Sequence, residues 1–193
     1  YLHHSAGTSD WALDEAILAA GRATGVRLVL LQVFYRTGGI GKPLAGAQLR
    51  FDGRSHEQYW RQMDALERRL ERPRESLGVA PHSIRAVGLE DLTRLHAEAR
   101  ARNLVVHMHV EETRQEMADC RAALGHTPLA LLLAELEIDA RFTAVHGTHS
   151  APAELEALQQ RGGNLCLCPL TEANLGDGLA RLGALRPGQL ALG

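Results

Sequence analysis

No apolar run in the sequence approaches the roughly 20 residues that a bilayer-spanning helix needs, and no leader pattern is read at its opening residues. Three cysteines, two of them the near neighbours Cys166 and Cys168, are too few for a disulfide framework, so a reduced, cytoplasmic setting is the simpler expectation. The formal charge of -2 gives no general attraction for nucleic acid or an anionic membrane. There is no glycine-rich fingerprint between a strand and a helix, which removes the usual sign of a dinucleotide-binding fold. Internal repeats, low-complexity tracts and domain linkers are missing too.

What is present is ordinary globular material. The 193 residues are 45% hydrophobic and 23% charged, enough for one domain with a substantial core, and residues 1–193 are read as a single domain. Short apolar runs alternate with amphipathic segments of helical period, the pattern of successive β/α units. Strands are expected from Arg27 to Tyr35, more weakly before Pro81, from Leu104 to His109, Phe142 to His146, Leu165 to Cys168 and Gln189 to Leu192. Helices are expected near Asp10 to Ala23, Ser55 to Glu71, Leu89 to Arg102, Thr113 to Leu124, Pro128 to Glu137 and Pro152 to Arg161, with start signals such as Thr127-Pro128. The glycine-rich, aperiodic stretch from Thr37 to Gly53 reads as a long loop.

Six alternating strands suit either an open doubly wound sheet or part of a (β/α)8 barrel, and composition does not separate the two. A whole barrel takes about 250 residues, so that reading requires missing strands. The polar residues favour it, because they gather at the C-terminal ends of the expected strands, where barrel enzymes place their catalytic groups.

The strongest constellation is His107-Met108-His109-Val110-Glu111-Glu112-Thr113. Residues two apart on a strand face the same way, so His107 and His109 point together. Glu112 follows just past the strand end, within reach of whatever His109 binds. Zinc takes neutral imidazole donors, and a nearby carboxylate can accept a proton from metal-activated water. Alone, the same string also describes a polar strand terminus satisfied by hydrogen bonds. Two neighbours add weight. Phe142-Thr143-Ala144-Val145-His146-Gly147 ends an apolar strand in a histidine one β/α unit later, and Ala80-Pro81-His82-Ser83-Ile84-Arg85 lies at a strand end one unit earlier. Arg85 could clamp a carboxylate in bidentate fashion or be a solvated residue opening a helix. Cys166 and Cys168 share a strand face, but without a second cysteine pair they read as small buried hydrophobes. The polar run Thr171-Glu172-Ala173-Asn174-Leu175-Gly176-Asp177-Gly178 could shape a substrate mouth or simply cap a helix.

In order, APHSIRAV, HMHVEET, VHGTHS and CPLTEANLGDG resemble the later strand ends of the amidohydrolase superfamily, deaminase branch. The longer strings HVEETRQEMADCRAALG and TEANLGDG resemble the formimidoylglutamate deiminase family within it. The resemblance implies an incomplete (β/α)8 TIM-type barrel of the metal-dependent kind, with about six strands present. It makes His109 a zinc ligand, Glu112 the general acid/base and His146 the residue that contacts or orients the attacking water. Tyr1, His82 and Arg85 become substrate contacts, Arg85 to a glutamate carboxylate. The implied reaction is zinc-dependent hydrolysis of N-formimino-L-glutamate to N-formyl-L-glutamate and ammonia, a step of histidine degradation. Its partner is a small molecule, with no role for nucleic acid or membrane and room for a homodimer. Rival expectations are a deaminase of guanine, an adenosine derivative or a triazine on the same site, and a noncatalytic barrel remnant. The family's first-strand HxH pair would lie upstream of Tyr1 and its eighth-strand Asp just after Gly193, so the 193 residues alone are expected neither to hold zinc tightly nor to turn over substrate.

Overall fold

The computed structural model describes residues 12–51, 55–181, 183 and 187–193. Its elements run α1 (Ala12–Thr24), β1 (Leu28–Phe34), α2 (His56–Glu67), β2 (Glu75–Pro81), α3 (Leu89–Ala101), β3 (Val105–Val110), α4 (Arg114–Leu124), α5 (Pro128–Glu135), β4 (Phe142–His146), α6 (Pro152–Gln160), β5 (Asn164–Leu167), α7 (Pro169–Leu175) and β6 (Leu190–Leu192). All five strand pairings are parallel, and the strand order is β1-β2-β3-β4-β5-β6. That order separates the two sequence readings. A doubly wound sheet reverses direction at a switch point, whereas here each strand is added beside the last. The fold is a partial (β/α)8-type barrel.

Alternation along the strands decides what each face meets. Leu30 and Phe34 of β1, Val106, Met108 and Val110 of β3, and Leu165 and Leu167 of β5 are buried in one core with Leu92, Leu95, Leu129, Leu132, Leu155 and Leu158 of the helices. The opposite face carries Val29, Val33, His107, His109 and Cys166, none of them fully buried. Gly78 of β2 lies on this second face, where a Cβ would come within 2.6 Å of Leu31 and 2.7 Å of Val105. Only glycine lets those two side chains close over the strand.

The helix starts are local chemistry. Ser55 and Gln58 form a reciprocal capping box at α2, through bonds of 3.2 and 3.0 Å. Thr113 and Thr127 cap α4 and α5, and Pro128 and Pro152 occupy first-turn positions where no N–H is missed. The segment read as a loop from Thr37 holds a 3-10 turn over Gly46–Phe51. The strand before Pro81, weak by pattern, is a full seven-residue strand buried at every position but Ser76. Its continuous apolar character hid the period of two, as it does in strands covered on both faces. A helix not expected as such, α7, follows β5 directly, with Pro169 in its first turn and Gly176 (φ 71°) at its end.

Candidate active site

The sheet delivers four rings to its C-terminal edge in sequence. Tyr35 follows β1, His82 follows β2, His109 is near the end of β3 and His146 ends β4. Successive ring centroids lie 4.9 Å (Tyr35–His82), 4.7 Å (His82–His109) and 5.5 Å (His109–His146) apart. The last pair is stacked at 21°. Register explains the spacing, since His109 stands opposite Val145 and His146 opposite Val110, one step further along. His107 faces the same side as His109 but lies two residues back, roughly 6.6 Å deeper along the strand, and takes no place in the row.

Backbone bonds carry the ladder past the strand ends. His82 N–H donates to the Phe34 carbonyl (3.0 Å), His109 N–H to the His82 carbonyl (3.0 Å) and Gly147 N–H to the Val110 carbonyl (2.9 Å). Two non-glycine residues adopt left-handed backbone there, Glu111 (φ 55°) and His146 (φ 77°). Such geometry costs energy and persists where its surroundings hold it. Glu111 is sealed from solvent and accepts the Leu129 N–H at the start of α5 (2.9 Å) while its own carbonyl takes the His149 N–H (3.1 Å). After His146, a Cβ on Gly147 (φ 59°) would meet Leu165 at 2.7 Å.

His109 suits a metal-binding imidazole. Its Nδ1 lies 2.8 Å from the His82 carbonyl oxygen, which can only accept, so Nδ1 carries the proton and Nε2 is left as a bare donor atom. Burial holds its pKa below the usual histidine value, which keeps it neutral as a metal ligand must be. Burial, reinforced by the fields of His109 and Arg85, drives His82 down to about 3. Cys166 and Cys168 are pushed upward, Cys168 to about 11, chiefly by burial. Protonated thiols are poor metal ligands. Among the described residues no three His, Cys, Asp or Glu side chains come together as a complete metal site, so His109 fits zinc as one ligand of a set.

A second row is ionic. Arg85 donates from Nη2 to Glu112 Oε2 at 3.0 Å, and its Nε stands 3.6 Å from Oε1 of the fully buried Glu116. Glu116 Oε2 accepts the Glu112 backbone N–H at 3.1 Å. The other oxygen of Glu112, Oε1, faces His146 Nε2 at 3.5 Å, while His146 Nδ1 lies 3.1 Å from Glu172 Oε1. Thus His82, Arg85, His109, Glu112 and His146 come together, and Tyr1 lies outside the described residues. Glu116 was not singled out by the sequence, and Glu172 stood there only as part of the polar run from Thr171 to Gly178. A separate cavity of about 560 Å³, lined by Arg114, Arg121, His149 and Asp177 among others, is lined by none of His82, His109, Glu112 or His146.

The Amidohydrolase family model matches residues 3–186. The chain is 38% identical over 184 residues to the formimidoylglutamate deiminase of Pseudomonas aeruginosa, an alignment that covers 93% of this chain and 40% of that protein. Its fold matches an amidohydrolase from Brucella melitensis (TM-score 0.88, 33% identity, 100% of this chain and 44% of the other). It also matches an adenosine deaminase from Xanthomonas campestris with bound zinc (TM-score 0.77, 27% identity, 93% and 39%). The chain therefore spans about two-fifths of the length of these relatives.

Proposed function

The chain belongs to the amidohydrolase family, and from that premise we propose that the complete protein hydrolyses the amidine of N-formimino-L-glutamate, giving N-formyl-L-glutamate and ammonia. The observation that carries the proposal is the position of Glu112, whose two oxygens face Arg85 on one side and His146 on the other, beside His109. The named relative in Pseudomonas supports the substrate, and the zinc-bearing relative supports the metal.

In this reading His109, through its bare Nε2, is one zinc ligand. When bound, the ion supplies Lewis-acid chemistry that makes a water nucleophilic near neutral pH. The chain's own residues move the protons. Glu112 Oε1 receives a proton from the attacking water and passes it to the amidine nitrogen, then carries the second proton from the resulting hydroxyl to the same nitrogen as the C–N bond breaks and the C=O bond forms, releasing ammonia. Arg85 occupies Oε2, so the traffic runs through Oε1. His146 orients the water from the opposite side, and His82, held neutral, donates or accepts a hydrogen bond without bringing charge. Arg85 also offers its remaining guanidinium edge to a substrate carboxylate. The proposal includes a cytoplasmic setting, which the three free thiols support; among the described residues no helix is long and apolar enough to cross a membrane.

The test is ammonia release by the complete protein with N-formimino-L-glutamate, guanine and adenosine offered in parallel. Selective turnover of the acidic amidine is expected. Preference for either purine compound would replace this substrate with that of a neighbouring deaminase.

A further inference from the structure

We infer that Glu172 is a positioning residue for His146, fixing the imidazole proton on Nδ1 so that bare Nε2 faces Glu112; this rests on the deaminase reading above. The contact joins two β/α units through α7, which begins immediately after β5. Glu172 Oε1 lies 3.1 Å from His146 Nδ1 and also accepts the Cys168 backbone N–H at 3.0 Å. An oxygen on which a backbone N–H converges is serving as an acceptor, so the proton of the first contact belongs to the ring. Both side chains are almost sealed, Glu172 at 3% exposure and His146 at 4%, and water does not compete for the bond.

Two features of His146 make such a tether necessary. Its backbone is left-handed (φ 77°) and it precedes a second left-handed residue, Gly147, so the turn alone gives the ring no ordinary strand orientation. Its Nε2 stands 3.5 Å from Glu112 Oε1, a separation at which ring tautomer decides whether the two groups can share a proton. With Nδ1–H committed to Glu172, bare Nε2 can accept a hydrogen bond from the attacking water and so orient it while its proton passes to Glu112. The carboxylate behind the ring holds its tautomer and orientation, the logic by which a buried acid orients a catalytic histidine. Glu172, His146, Glu112 and Arg85 form one continuous chain of contacts across four strand ends.

Two measurements on the complete protein test this. In the ¹⁵N spectrum of its histidines, with His146 identified by its loss in His146→Asn, Nδ1 is expected to carry the proton and Nε2 to be bare. A neutral ring protonated on Nε2 would overturn the inference without any change to Glu172. Glu172→Gln retains an acceptor for the Cys168 N–H but loses the charge. It should lower kcat by roughly 10–100-fold with KM and zinc content little changed, and Glu172→Asp, which restores the charge, should recover part of the loss. An unchanged kcat in the Gln variant contradicts the inference, and equal loss in the Gln and Asp variants assigns Glu172 to packing alone. If the parent shows no deaminase activity, the functional reading fails, while the ring protonation still decides the role of Glu172.

Discussion

Arg85 and Glu112 are joined by a 3.0 Å hydrogen bond from Nη2 to Oε2, tying the loop after β2 to the loop after β3. The same guanidinium stands 3.6 Å from Glu116, so a single cation serves two carboxyl groups four residues apart. Arg85 therefore has two tasks in the proposed enzyme. It sets which oxygen of Glu112 is free, and it presents its remaining edge to substrate.

Both tasks need the planar fork. Arg85→Lys keeps the charge but cannot hold Glu112 and a substrate carboxylate together. A charge-assisted hydrogen bond contributes about 1.5–3 kcal/mol, so KM for N-formimino-L-glutamate should rise by roughly 10–100-fold, with kcat lowered as Glu112 loosens. Steady-state kinetics on the variant check this, and an unchanged KM would remove Arg85 from the substrate contacts.

His107 and His109 share a strand face, yet only His109 enters the row of rings and has its Nδ1 committed to a carbonyl. His109→Gln in the complete protein should lose most of its zinc, whereas His107→Gln should keep it. Metal analysis of the two purified variants distinguishes them. Equal retention, or loss in both, contradicts the assignment of His109 as the ligand from β3.

Much of this site was legible in the sequence, for a definite reason. His82, His109, Glu112 and His146 each stand at the end of an apolar run, and a run that ends in polar residues marks a strand terminus whatever surrounds it. The barrel topology was legible less directly, because a sheet whose strands are added in order and one that reverses share the same alternation; the register of β1 to β6 settled it. Glu116, and Glu172 within the polar run after Pro169, carried no role of their own in the sequence, because a glutamate in a helix's first turn usually serves only the helix dipole. Their burial comes from packing against neighbouring units, which no local pattern encodes. For α7, the signals were present in Pro169 and Gly176, but they sat inside a run of polar residues that also reads as a loop.

Glu116 gives a prediction about stability. Burial pushes its carboxyl up to about 7, with Arg85 and the Glu112 N–H opposing the shift. In the unfolded chain it titrates at about 4.3. Between those values the folded chain holds a proton that the unfolded chain has released. The stability contributed by the neutral carboxyl is therefore full below about pH 4 and is lost as the pH rises through about 7. Glu116→Gln cannot ionise, so its melting temperature relative to the parent should increase from about pH 5 to about pH 8. Thermal unfolding at several pH values follows this difference, and a flat difference would mean that Glu116 is ionised throughout.

The central claim is that Glu112 carries the proton in a metal-assisted deamination, and Glu112→Gln in the complete protein tests it most directly. Glutamine preserves the size of the side chain and an oxygen for Arg85 but cannot take up the proton. Ammonia release from N-formimino-L-glutamate should fall by at least about 100-fold while zinc content stays at the parent's level. Turnover close to the parent's, with zinc retained, would contradict the account.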